Sequence, residues 1–187
     1  MSNLKLFGLT MVCTMAVGLG YFCLKHSQEE SLKPKLTEIR NGVFLTSQLK
    51  PSSMRYLRQR QIKTVIDMRP DGEAADQPSS EQMRRTAEAM SMEFHYIPVP
   101  HEGIPNDAVD SLQSALKTVE EPVVLYCRTG RRAARLFALA KASQGGGPSA
   151  DEILGLVRAA GFEAEDLAGE IARRIANRGK PLTGGKP

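Results

Sequence analysis

The sequence predicts an α/β fold: a mostly parallel sheet flanked by helices, with one transmembrane helix ahead of it. Three observations lead there. Short β-branched or apolar runs alternate with segments of helical periodicity from Val43 to Asn177. The 187-residue length suits one N-terminal segment plus one domain of ordinary size. Residues 6–24 carry no charge, and such a run can cross a bilayer core of roughly 30 Å as a helix.

The elements follow in order. Residues 1–25 read as a membrane anchor, or alternatively a signal segment, and the polar stretch 26–38 with Pro34 reads as a linker. The domain proper is expected over 39–178. Asn41-Gly42 makes a turn before a strand at 43–46. Pro51-Ser52-Ser53 opens a helix to about Arg60. Thr64 to Met68 is a strand rich in β-branched residues, followed by a polar loop over 69–77. Pro78-Ser79-Ser80-Glu81 starts a helix to about Met90, and a strand is expected from Phe94 to Val99. Asn106 or Asp107 caps a helix to Val119, in which Val109, Leu112 and Leu116 recur at helical spacing. A short apolar strand ends at Tyr126, and a helix spans Arg131 to Ala142. After the break at 145–148, Ser149 and Glu152 have capping-box spacing for a helix that Gly161 ends. A last amphipathic helix runs from Glu165 to Asn177. The Gly/Pro/Lys-rich tail 179–187 is expected to fray.

Composition excludes several classes. Hydrophobic content of 41% and charged content of 25% are ordinary for a globular protein. The net charge of +4 is mild, and no aromatic stripe accompanies the scattered basic residues, so nucleic acid is not an expected partner. Of three cysteines, Cys13 and Cys23 lie in the apolar run. Cys127 therefore has no partner within the domain, which excludes a disulfide framework. The three histidines have no metal-ligand spacing, and no metal or organic cofactor is implied. Lys25, Lys33, Lys35 and Arg40 follow the run, against Lys5 before it, and this count would keep the domain in the cytoplasm. The short N-tail resembles a signal-anchor start. The expectation adopted is a single-pass anchor in a bacterial-type inner membrane with the domain exported.

The chemistry concentrates in Tyr126-Cys127-Arg128-Thr129-Gly130-Arg131-Arg132. A strand delivers Cys127 to the sheet edge, and a helix begins four residues later. In parallel sheets, ligands sit beyond the carboxyl ends of the strands. Unpaired N–H groups at a helix start favour anions and stabilise a thiolate over a thiol. Gly130 lets successive N–H groups point inward. Arg132 can return over the loop and hold two oxyanion oxygens at once. Arg128, Thr129, Gly130 and Arg131 complete an anion-binding loop, the two arginines raising the local positive field. Against this stands a plainer alternative: a small buried cysteine at a strand end, beside a solvated helix face.

These residues resemble the beta-lactamase hydrolase-like, phosphatase-fold family, also described as a sulfur transferase family. Cys127 to Ala133 resembles its cysteine loop. Residues 64–73, ending Arg69-Pro70-Asp71-Gly72-Glu73, resemble its strand and following turn. Tyr96-Ile97-Pro98-Val99 resembles its next strand, and Leu45-Thr46-Ser47-Gln48-Leu49 its opening strand. The resemblance covers residues 39–178 and implies a dual-specificity or tyrosine-phosphatase-like fold. Tyrosine phosphatases place five residues between Cys and Arg. This chain has four, with Ala133 where the phosphatase arginine would stand, and the shorter spacing is that of rhodanese-type sulfurtransferases.

The expectation drawn is therefore a sulfurtransferase that passes sulfane sulfur from a small thiosulfate-like anion through a Cys127 persulfide. The alternative is a phosphatase acting on phosphate esters through a phosphocysteine intermediate, which needs an acid for the leaving group. Glu102, His101, Asp107, Asp71 and Glu73 are candidates, each with a competing role as a turn or cap residue. Arg69 either binds an anion or pairs with Glu73. A third reading, from another class, is a non-catalytic anion-binding module at a membrane.

Overall fold

The computed structural model describes residues 33–178. The run 6–24 and the tail lie outside the described residues. Among those described, no helix is long and apolar enough to cross a membrane.

Five strands form one sheet in the order β1-β2-β5-β3-β4. They are β1 (Thr37–Arg40), β2 (Val43–Thr46), β3 (Thr64–Asp67), β4 (Glu93–Tyr96) and β5 (Val123–Tyr126). β2, β5, β3 and β4 run parallel, with Val43, Val123 and Thr64 in register at their starts. β1 is antiparallel to β2. It begins just inside the stretch expected to be linker, and the Asn41-Gly42 turn, with Gly42 at φ 77°, folds it back as a hairpin edge. β4 ends earlier than expected because Pro98 and Pro100 interrupt the ladder.

The helices are α1 (Ser53–Gln59), α2 (Ser80–Glu88), α3 (Asn106–Thr118), α4 (Arg131–Ser143), α5 (Ala150–Ala159) and α6 (Ala168–Ala176), with a 3-10 turn at Glu165–Leu167. α1 and α2 cover one face of the sheet, burying Leu49, Met54, Leu57, Met83 and Ala87 against Val65, Val124 and Tyr126. The other helices cover the opposite face, where Leu112, Phe137, Ile153 and Ile171 meet Leu45, Ile66 and Leu125. The central strands β3 and β5 are thus buried on both sides. The capping box of α5 is present in full, Ser149 and Glu152 exchanging bonds. The expected side-chain cap of α3 is not: Pro105 stands at its N-cap, and the Asn106 side chain accepts from Arg174 instead. The parallel register brings the loops after β2, β3, β4 and β5 to one end of the sheet.

Candidate active site

Cys127 leaves β5 almost fully buried. Gly130 takes φ 88° and turns its N–H back to donate to the Cys127 Sγ at 3.2 Å. A left-handed backbone is strained for any residue with a Cβ, so glycine is required at this corner. The loop then enters α4 directly, with no side-chain cap at Gly130. The free N–H groups of the first turn therefore face the sulfur's end of the helix, an arrangement that favours anions. Arg128 and Thr129 are exposed at the mouth of the loop. The Arg128 carbonyl is tied down by the Gln48 N–H at 3.2 Å.

Arg132 is held from outside the loop. Its Nη1 donates to Glu73 Oε1 at 2.6 Å and to the Val99 carbonyl at 2.6 Å, and its Nη2 donates to Glu73 Oε2 at 2.8 Å. A guanidinium has five N–H donors in a fixed fork. Glu73 takes the end-on pair and Val99 takes the outer N–H of Nη1. The two that remain, on Nε and Nη2, form one edge, and that edge can bind two oxygens of an anion together. The Glu73 bonds, followed by the neighbouring Cys127 sulfur, which also accepts from the guanidinium, raise Arg132 above its ordinary value against the opposing effect of burial.

Glu73 is the hub of this arrangement. It also accepts from Arg69 Nε at 2.9 Å and stands 3.4 Å from His101 Nε2. Arg132 first, then Arg69 and the His101 charge, outweigh its desolvation and hold its carboxyl at about 2. A carboxyl so strongly ionised cannot donate a proton at neutral pH, so Glu73 is a positioning group and not the acid. Arg69, buried, completes the chain of contacts by donating from Nη1 to Gln48 Oε1 at 2.8 Å. It therefore pairs with Glu73, as one of its two expected roles required.

The other acid candidates separate clearly. Asp71 accepts from the N–H and hydroxyl of Ser80, both at 2.7 Å, and so caps α2. Asp107 Oδ1 accepts from the Ala108 N–H in the first turn of α3. Glu102 is exposed, and no hydrogen bond or ion pair engages its carboxylate. It lines a groove of about 400 Å³ together with His101 and Arg132. Arg131 lies exposed, while Arg135 is mostly buried in a two-point ion pair with Asp166, at 2.6 Å for each contact. Gln48, the Val99 carbonyl and Phe162 are site components that the residue-by-residue reading missed. Gln48 and Val99 carried a signal through their places in the Leu45–Leu49 and Tyr96–Val99 stretches; Phe162 carried none. Among the described residues no cluster of metal-ligating side chains occurs.

The parallel sheet thus presents a cysteine, a glycine corner and an oriented arginine at one helix start, the arrangement of an α/β domain with an anion-binding cysteine loop. The chain belongs to the family of the phosphatase-like domain of beta-lactamase hydrolase-like proteins, whose family model matches residues 36–144. It is 27% identical over 129 residues to the beta-lactamase hydrolase-like protein of Xylella fastidiosa, covering 69% of this chain and 30% of that one. The counterpart in Agrobacterium fabrum is 34% identical over 84 residues, covering 45% of this chain and 20% of the other. The chain thus spans less than a third of the length of these curated relatives.

Among solved structures, a candidate phosphatase from Neisseria meningitidis superposes with a TM-score of 0.64 at 29% identity, covering 74% of this chain and 96% of that one. The core catalytic domain of a PP-IP phosphatase from Saccharomyces cerevisiae gives 0.56 at 14% identity, covering 78% and 88%, and so shares the fold.

These similarities overturn the sulfurtransferase expectation. The matched family is phosphatase-like, and the solved structure at 29% identity is that of a candidate phosphatase. The expectation rested on loop length as a measure of the cradle. The guanidinium, however, is placed by Glu73 and Val99, which belong to other loops, so the count of residues between Cys127 and Arg132 does not set the size of the anion site.

Proposed function

We propose that this domain is a cysteine-dependent phosphatase that hydrolyses phosphoric monoesters. The observation that carries the reading is the Nε–Nη2 edge of Arg132, which neither Glu73 nor Val99 takes and which lies near a cysteine sulfur that also receives the Gly130 N–H. The phosphoryl group lies in the loop, two of its oxygens on Arg132 and the others on the backbone N–H groups. The Cys127 thiolate attacks phosphorus and the bond to the ester oxygen breaks. Glu102 protonates the departing oxygen. Water then attacks the phosphocysteine, gives its proton to the Glu102 carboxylate, and the P–S bond breaks to regenerate the thiolate.

The test is hydrolysis of aryl and alkyl phosphates by the full chain. Turnover that disappears in Cys127→Ser supports the proposal. Glu102→Gln should slow alkyl phosphates by about 100-fold or more while sparing aryl phosphates, whose leaving group needs no proton. Equal activity of the serine variant would refute a cysteine nucleophile. The uncharged run 6–24 supports a membrane-tethered enzyme. The full chain should then stay in membranes washed with alkaline carbonate, and its release into the supernatant would refute the tether.

A further inference from the structure

The family match ends at residue 144, yet the chain continues through α5, the 3-10 turn and α6. The link between α5 and the 3-10 turn lies against the cysteine loop. Gly161 takes φ 79°, and the Phe162 N–H closes on the Val157 carbonyl at 3.1 Å, a helix end of the type glycine makes. Ile153 and Val157 anchor α5 in the core. This fixes the direction in which Phe162 leaves the helix, and its half-buried ring reaches Gly130. A Cβ placed on Gly130 would lie 2.8 Å from Phe162 Cζ, 3.1 Å from Cε1 and 3.3 Å from the Thr46 carbonyl oxygen. The tip of the Phe162 ring and the end of β2 therefore close off the side of Gly130 where a Cβ would stand. Asp166 ties the same segment to α4 through Arg135.

We infer that Phe162 is a positioning residue for anion binding. Its ring holds Gly130 in the left-handed corner that aims the Gly130 N–H at the Cys127 sulfur, so the cradle depends on a segment beyond the family-matched region. The inference rests on the anion-binding role of the loop in the proposed function, and it does not require that hydrolysis follow. The geometry gives it a distinctive signature. Phe162 Cζ is the ring atom nearest Gly130, and a tyrosine hydroxyl would be attached to that atom. A half-exposed packing position accepts tyrosine readily; this one should not.

The test measures alkylation of Cys127 by iodoacetamide in the full chain, with inorganic phosphate titrated as the protecting anion, alongside Tm. Phe162→Ala frees the corner and Phe162→Tyr displaces it. Each should weaken phosphate protection about tenfold, the equivalent of one charge-assisted hydrogen bond misplaced. Ile171→Ala, a buried cavity in α6 that leaves both partners of the Phe162–Gly130 contact in place, serves as the control for general destabilisation. It should lower Tm at least as much while phosphate protection stays within about twofold, as expected of an independent site. Phosphate protection unchanged in both Phe162 variants would overturn the inference, as would an equal loss in Ile171→Ala or no protection in the parent protein. A parent that binds phosphate yet hydrolyses no ester would refute the phosphatase reading and leave this one standing.

Discussion

Replacing Glu73 by glutamine tests the arrangement at its hub. Glutamine keeps the size and one acceptor oxygen but removes the charge that faces Arg132, Arg69 and His101. A carboxyl held at about 2 instead of its ordinary 4.5 corresponds to at most about 3 kcal/mol of stability at neutral pH. Solvent screening at the rim reduces this, so about 1–3 kcal/mol is expected, or roughly 3–10 °C in Tm for a domain of this size. The sign follows from the direction. The folded carboxyl is depressed, so its contribution is complete above 4.5 and is lost as pH falls towards 2. Thermal melts of parent and Glu73→Gln should therefore differ at pH 7 and converge as the pH approaches 2. Function should suffer beyond stability. The amide can no longer satisfy both guanidinium N–H groups as acceptors, so Arg132 loses its fixed fork, and phosphate affinity and turnover should fall by about 10- to 100-fold. A Glu73→Gln protein with unchanged Tm at pH 7 and turnover within about twofold of the parent would refute the positioning role.

Further outcomes follow from single contacts. Burial, partly offset by the Tyr126 hydroxyl and the Arg69 N–H, pushes Asp67 up from 3.8 to about 6. Its charge then costs about 3 kcal/mol or less above pH 6, and this cost vanishes as pH falls below 3.8. Asp67→Asn keeps an acceptor for the Arg69 N–H and should raise Tm at pH 7.5 with little effect at pH 3.5; a lower Tm at both would refute the assignment. Arg132→Lys retains the charge and loses the two-oxygen edge, so phosphate binding should weaken by about 10-fold or more, and equal binding would show that a point charge suffices. Gly130→Ala meets both a positive φ and the Phe162 ring, and should cost about 1–3 kcal/mol in Tm-derived stability together with phosphate protection of Cys127.

Much of this molecule was legible in its sequence because local rules agree with the fold. The apolar runs of β3 and β5 and the helical spacing of α3 place the layers, and the Ser149–Glu152 pair marks the start of α5 to the residue. The cysteine loop was legible for the same reason: strand, glycine and helix follow one another within it. β1 was not, since a four-residue edge strand with one buried apolar residue, Ile39, is too short to show a pattern. Nor was the role of Glu73, whose significance lies in a partner 59 residues away. Asp71 and Glu73 stand two apart in the same turn, yet one caps a helix and the other orients an arginine. Only the path of the loop separates them. Phe162 carried no signal of any kind, because its contact with Gly130 is made by the packing of α5 and not by any local pattern.

The choice between sulfur and phosphoryl chemistry failed on the same distinction between local and non-local determinants. Counting four residues from Cys127 to Arg132 treats the loop as the whole cradle. In the folded protein the backbone N–H groups come from the loop, but the guanidinium is oriented by the loop after β3 through Glu73 and by the segment after β4 through the Val99 carbonyl. Arg69 and Gln48 then bind the first of these to the loop after β2 and to the Arg128 carbonyl. Four strand ends thus determine where one side chain presents its two free N–H groups. A spacing motif specifies which residues are available; the distance between the sulfur and the anion-binding edge is set by the sheet. The proposed function therefore requires of the loop that it receive a tetrahedral phosphoryl group at its short spacing, with Glu73 ionised and Arg69 in place to hold it.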